Sequence, residues 1–98
     1  MAVEPATLTV TVKIPSQLYA AAGGRRAITV PAGTARDLIA ALEAEAPGMR
    51  FHLCDETGEL RSFVNIFLDG VNIRNLAGLE TPIPVGAAVA IYPSVAGG

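Results

Sequence analysis

Only one stretch of this chain repeats its apolar residues at helical spacing, and stretches with a period of two enclose it. Ala35, Leu38, Ile39, Leu42 and Ala46 recur at intervals of three or four, with Glu43 and Glu45 away from the stripe. That spacing predicts one amphipathic helix of about three turns. Thr34 precedes it as an N-cap, its hydroxyl placed to accept a hydrogen bond from the Asp37 amide. Asp37 in the first turn also suits the positive end of the helix dipole, and Pro47-Gly48 ends the helix. A single apolar stripe must be buried against another layer, and the rest of the chain offers a sheet.

Thr7 to Ile14 alternates strictly, with Leu8, Val10, Val12 and Ile14 on one face and Thr7, Thr9, Thr11 and Lys13 on the other. This reads as a half-buried strand. After Pro15-Ser16 and a turn at Gly23-Gly24, Arg26 to Val30 resumes the period of two, completing a hairpin with a long loop. Pro31, Ala32 and Gly33 end that strand. Met49 to Arg61 shows no clear period, and Asp55 to Glu59 reads as a polar turn. Phe63 to Leu68 is the next strand. Asp69-Gly70 follows, a hairpin dipeptide because its turn requires positive φ, and Val71 to Ile73 begins a short return. A loop with Gly78, Pro82, Pro84 and Gly86 leads to a last strand, Ala88 to Tyr92, ended by Pro93. The order strand, strand, helix, strand, short strand, strand predicts an α+β fold: a mixed sheet with one main helix packed on one face. The first and last strands, both strongly apolar on one side, are expected parallel and adjacent at the sheet centre. That is the β-grasp arrangement of ubiquitin. Residues 1–92 form the domain in this reading, and residues 93–98 a flexible diglycine tail.

Ninety-eight residues with 51% hydrophobic content suit one small core, burying roughly two-thirds of the surface of the unfolded chain. The seven basic residues are scattered and the net charge is −2, so neither nucleic acid nor an acidic membrane is an expected partner. The N-terminus has no basic segment or long apolar run, and Cys54 is the only cysteine. A cytoplasmic location without disulfides is expected. Cys54 and His52, two residues apart, would share a face in an extended segment. A zinc site usually needs four protein ligands, or three with water, and the chain has no other His or Cys, so they are read as a small apolar cysteine and a polar loop histidine. Gly23-Gly24 lacks the spacing and lysine of a phosphate-binding loop. No catalytic residue, metal site or bound cofactor is expected.

What remains is the terminal segment Pro93-Ser94-Val95-Ala96-Gly97-Gly98. Six extended residues reach on the order of 20 Å, and glycines without a Cβ let a carboxylate pass through a narrow channel toward a reacting atom. Following a β-grasp pattern, that end is the expected working part.

The marks Phe63-Val64-Asn65-Ile66, Asp69-Gly70, Ile73-Arg74, Gly78-Leu79-x-Thr81, Gly86, Val89-x-Ile91-x-Pro93 and Val95-Ala96-Gly97-Gly98 resemble the MoaD/ThiS family of ubiquitin-like sulfur carriers. The longer helix-to-strand loop is similar to its CysO-type, cysteine-biosynthesis branch. The resemblance implies that an E1-like enzyme uses ATP to adenylate Gly98, and that a sulfur donor then converts it to a thiocarboxylate. Val95, Ala96 and Gly97 would thread the partner's active site. Implied partners are that E1-like enzyme and a sulfur-acceptor synthase: cysteine-synthase-like, thiosugar, or the molybdopterin synthase large subunit. A JAMM-type hydrolase would release the carrier. ATP is used by the activating partner, with nothing bound by the carrier itself.

Strand parity places Phe67 on the sheet face away from the helix if Val64, Ile66 and Leu68 face it. Ala90 and Tyr92 share that outer face with Thr9 and Thr11. Phe67 and Tyr92 are therefore the candidate docking residues, with Arg74 as a further surface contact. Three other readings remain: a permanent small subunit of molybdopterin synthase, a covalent protein modifier joined through Gly98, and a structural binding module. Lys13 is the only lysine, which disfavours chains built through several lysines.

Overall fold

The structure, a computed structural model, describes residues 8–93. Five strands, β1 (Thr9–Lys13), β2 (Ala27–Pro31), β4 (Val64–Leu68), β5 (Val71–Asn72) and β7 (Ala88–Pro93), form one sheet in the order β2-β1-β7-β4-β5. The two-residue strands β3 (Gly33–Thr34) and β6 (Pro82–Ile83) form a separate antiparallel pair. The first and last strands of the main sheet run parallel, Thr11 opposite Ala88 and Lys13 opposite Ala90, as their shared apolar parity implied. The other neighbours in this sheet are antiparallel. This is the expected β-grasp.

Helix α1 (Ala35–Glu45) lies across one face. Its buried residues Ala35, Leu38, Ile39 and Leu42 meet Val10 and Val12 of β1, Ile28 and Val30 of β2, and the inner residues Val64, Ile66, Val89 and Ile91. Its start is a reciprocal cap. The Thr34 hydroxyl accepts from the Asp37 amide at 3.2 Å, and the Asp37 carboxylate accepts from the Thr34 amide at 3.0 Å, so two otherwise orphaned donors are satisfied. Gly33 makes room for this: a Cβ there would lie 2.8 Å from Asp37 Oδ2. The β3–β6 pair closes the same corner, with the Ala35 amide donating to the Thr81 carbonyl at 2.9 Å.

Three local expectations change. Leu8 was placed on the inner face of the first strand, but it precedes β1 and is 63% exposed. Beyond Pro47-Gly48 the chain becomes helical again as α2 (Met49–Leu53), burying Met49 and Leu53. The cause lies in the last turns of α1. Gly48 takes φ 99°, and the Glu43 carboxylate accepts from the amides of Gly48 at 3.1 Å and Arg50 at 2.9 Å. A side chain of α1 therefore caps α2. Finally, β5 ends at Asn72, whose side chain accepts from the Arg74 amide and opens a 3-10 turn at Ile73–Asn75. The Asp69-Gly70 turn forms as expected, with positive φ at both residues (49° and 85°).

Three carboxylates serve as caps or turn anchors, and the amide and hydroxyl donors facing them hold each below its ordinary pKa. Donors from Thr34 act on Asp37, the Arg50 and Gly48 amides on Glu43, and Thr57 with the Glu59 amide on Asp55. A depressed folded-state pKa means the unfolded chain binds protons more readily as pH falls. The melting temperature, followed by circular dichroism, is therefore expected to stay flat from neutrality to about pH 5 and to fall below about pH 4.

Candidate functional site: the end of the last strand

β7 ends at Pro93, the last described residue. Tyr92 stands opposite Asn65, and Pro93 opposite Val64 at the start of β4. Val95, Ala96, Gly97 and Gly98 follow, outside the described residues. The face around this exit follows from strand parity. Val64, Ile66, Val89 and Ile91 turn inward to α1, so Phe67, Ala88, Ala90 and Tyr92 turn outward. Ala90 lies between Lys13 on β1 and Phe67 on β4. Two small residues flanked by longer ones make a groove. It encloses about 530 Å³ and is lined by Phe67, Tyr92, Lys13, Ala27, Ala88 and Ala90, among others.

Phe67 is half-buried and Tyr92 is 50% exposed. Their rings meet edge to face with centroids 5.6 Å apart at 73°, the geometry favoured by aromatic quadrupoles. The two side chains paired from sequence parity are thus brought together at the root of the terminal segment. Lys13 joins them. Its outward parity was legible, but its place at this groove depends on β1 lying beside β7.

Arg74 sits elsewhere. One guanidinium nitrogen donates to the carbonyls of Arg61 and Val64, each at 2.7 Å, so the side chain braces the turn leading into β4. Asn72 supports it from below, donating to the Asn65 side chain at 3.1 Å. Arg74 positions the strand opposite the exit and is not part of the Phe67–Tyr92 groove.

His52 and Cys54 do not share a face, because the segment is helical rather than extended. Cys54 caps α2, is buried, and has its thiol pushed up from the ordinary range by desolvation. His52 points outward with its ring 6.0 Å from that of Phe51. Among the described residues no cluster of three or more metal-ligating side chains exists, and no helix is long and apolar enough to cross a membrane.

The ThiS family model matches residues 12–98. The sulfur carrier protein CysO of Mycobacterium tuberculosis is 38% identical over 93 residues, covering 93% of this chain and all of that protein. A chain in the crystal structure of the Amycolatopsis orientalis BexX/CysO complex superposes with a TM-score of 0.83 at 31% identity, covering 90% of this chain and 98% of that one. The solution structure of small archaeal modifier protein 1 from Methanosarcina acetivorans gives 0.77 at 31% identity, covering 92% of this chain and 96% of that one. With its β-grasp topology and near full-length match, this chain belongs to the ThiS family and is a ubiquitin-like sulfur carrier of the CysO type, a small protein cosubstrate rather than an enzyme.

Proposed function

We propose that the Gly98 carboxylate is the sulfur-bearing group. An E1-like enzyme directs one carboxylate oxygen onto the α-phosphorus of ATP, releasing pyrophosphate and leaving an acyl adenylate. A sulfide-level donor then attacks the carbonyl carbon and AMP departs, giving the thiocarboxylate. Its soft anionic sulfur attacks an activated acceptor held by a synthase in the cytoplasm, displacing the acceptor's leaving group and joining the Gly98 acyl group to the product. A JAMM-type hydrolase then adds water across that acyl bond, releasing cysteine or a related sulfur metabolite and restoring the carboxylate. The observation that carries this reading is the family match running through Gly98 on a chain that aligns with the whole of CysO.

Incubation with the E1-like enzyme, ATP and sulfide should raise the intact mass by about 16 Da, the difference between sulfur and oxygen. A protein that stays at its starting mass with a competent enzyme overturns the assignment. In the same assay Phe67→Ala is expected to lower the rate about tenfold, because truncating a central aromatic anchor removes about 1.4 kcal/mol or more of contact. The fold should survive, since Phe67 lies outside the buried core. An unchanged rate would exclude the Phe67–Tyr92 groove as the docking face.

The likeness to a small archaeal modifier protein favours one second reading, in which Gly98 is joined to lysines of other proteins. Both uses share the adenylate. Isopeptide remnants on target proteins from cells would support attachment, whereas a thiocarboxylate pool without conjugates supports the carrier alone.

A further inference from the structure

The buried core contains no aromatic ring among the described residues; its apolar members are Val, Ile, Leu, Ala, Met and Cys. All five aromatic residues instead line three depressions around β7, one along the outer sheet face from Ala88 to Tyr92 and two beside the strand's C-terminal end. That is unusual placement, since phenylalanine is ordinarily among the most buried residue types. Phe67 and Tyr92 account for one side. On the other side a groove of about 330 Å³ is lined by Phe51, Phe63, Leu18, His52, Arg61 and Pro93. Phe51 is 71% exposed and Phe63 50%. A third depression, of about 380 Å³, holds Tyr19, Arg26, Lys13 and Tyr92.

The charge pattern is equally one-sided. None of the residues lining these three depressions carries a carboxylate, although the chain has nine acidic residues and a net charge of −2. Carboxylates stand only at their borders: Asp69 accepts from the Ala88 amide at 2.9 Å beside the Phe67–Tyr92 groove, and Glu43, Asp55 and Glu56 line a hollow that shares Phe51 and Arg61 with the Phe51–Phe63 groove. The two ion pairs among the described residues are Arg25–Glu45 and Arg36–Glu80. Lys13, Arg26 and Arg61 belong to neither. Two of these cations lie over rings: Arg61 is 5.0 Å from the Phe51 centroid and Arg26 is 5.6 Å from that of Tyr19. The stacking holds their charge beside the aromatic surface.

We propose that this end is a two-sided collar, in which the Phe51–Phe63 groove is a second contact for the activating enzyme, whose tail-accepting mouth has an acidic rim. The inference rests on the reading of Gly98 above. Pro93 lines the Phe51–Phe63 groove and Tyr92 lines the other two, so an enzyme that takes the residues beyond Pro93 must abut all three. Exposed aromatics beside arginine supply the anchors that dominate interface energy. Cations that belong to neither ion pair among the described residues favour an acidic complement and speed encounter with it.

The test is the second-order rate of ATP-dependent mass gain with the E1-like enzyme of the source organism. Phe51→Ser and Phe63→Ser should each lower that rate about tenfold, the effect of losing one anchor. Lys13→Glu with Arg26→Glu should lower it more and flatten its salt dependence. The wild-type rate itself should fall as salt rises from about 0.05 to 0.5 M. Circular dichroism checks that each variant is folded, and Val85→Ser, an exposed residue lining none of the three depressions, serves as the control. Folded serine variants that load at the wild-type rate overturn the second contact, and a salt-independent wild-type rate overturns the acidic rim. A wild type that gains no mass instead overturns the Gly98 reading, which separates the two failures.

Discussion

Removing Gly98 is expected to abolish the ATP-dependent mass gain while leaving the melting temperature within about a degree of the parent, a change near zero on the stability scale. The chemical step needs a carboxylate at a fixed reach from the docked domain. Each residue of extended chain contributes roughly 3.3–3.6 Å, so one residue fewer withdraws the carboxylate by more than a reacting distance. Misplacement of about 1 Å already costs a large factor in rate. The fold is expected to survive its removal. Among the described residues every buried core side chain lies between Val10 and Ile91, and the pairing of β7 with β4 runs to Pro93. A shortened protein that still gained the mass would place the sulfur somewhere other than the Gly98 carboxyl.

The opposite dissociation is expected for Leu42→Ala. Leu42 is fully buried on the face of α1 that meets the sheet. Truncation removes apolar burial and leaves a cavity between the two layers, costing about 2–5 kcal/mol. In a domain of this size that lowers the melting temperature by on the order of 15 °C, read by circular dichroism. Total stability of such domains is only about 5–15 kcal/mol, so the loss is a large share of it. Below the lowered midpoint the rate of mass gain should stay near that of the parent, because Leu42 lies on the far side of the sheet from the Phe67–Tyr92 groove. A midpoint unchanged within about 2 °C would mean that the helix layer is not closed on the sheet at this point.

Much of this architecture was readable before any coordinates. Thr34 and Asp37 cap α1 because they stand three residues apart, and the turn at Asp69-Gly70 follows from two residues that tolerate positive φ. The pairing of Phe67 with Tyr92 follows from parity on two strands that turn the same face of the sheet toward the helix. Other features depended on contacts that sequence spacing does not encode. Helix α2 begins immediately after a helix-ending Pro-Gly pair because Glu43, five residues before Gly48, turns back to satisfy its amides. The β3–β6 pair is two residues long on each strand, too short to show a period. Arg74 looks like any surface arginine until Arg61 and Val64 are brought beneath its guanidinium.

The sequence alone determined a single helix on a mixed sheet, the neighbours at its turns and caps, and a glycine-ended segment beyond the last strand. These are local consequences of periodicity, φ preference and spacing along one chain. Only the tertiary structure decided that five aromatics and three cations outside the described ion pairs, drawn from distant segments, line neighbouring depressions around β7. Their assembly requires the parallel pairing of the first and last strands and the fold-back of residues 48–63, and no local pattern specifies either closure. The physical reason is that strand neighbourhood is settled by burying the whole core at once.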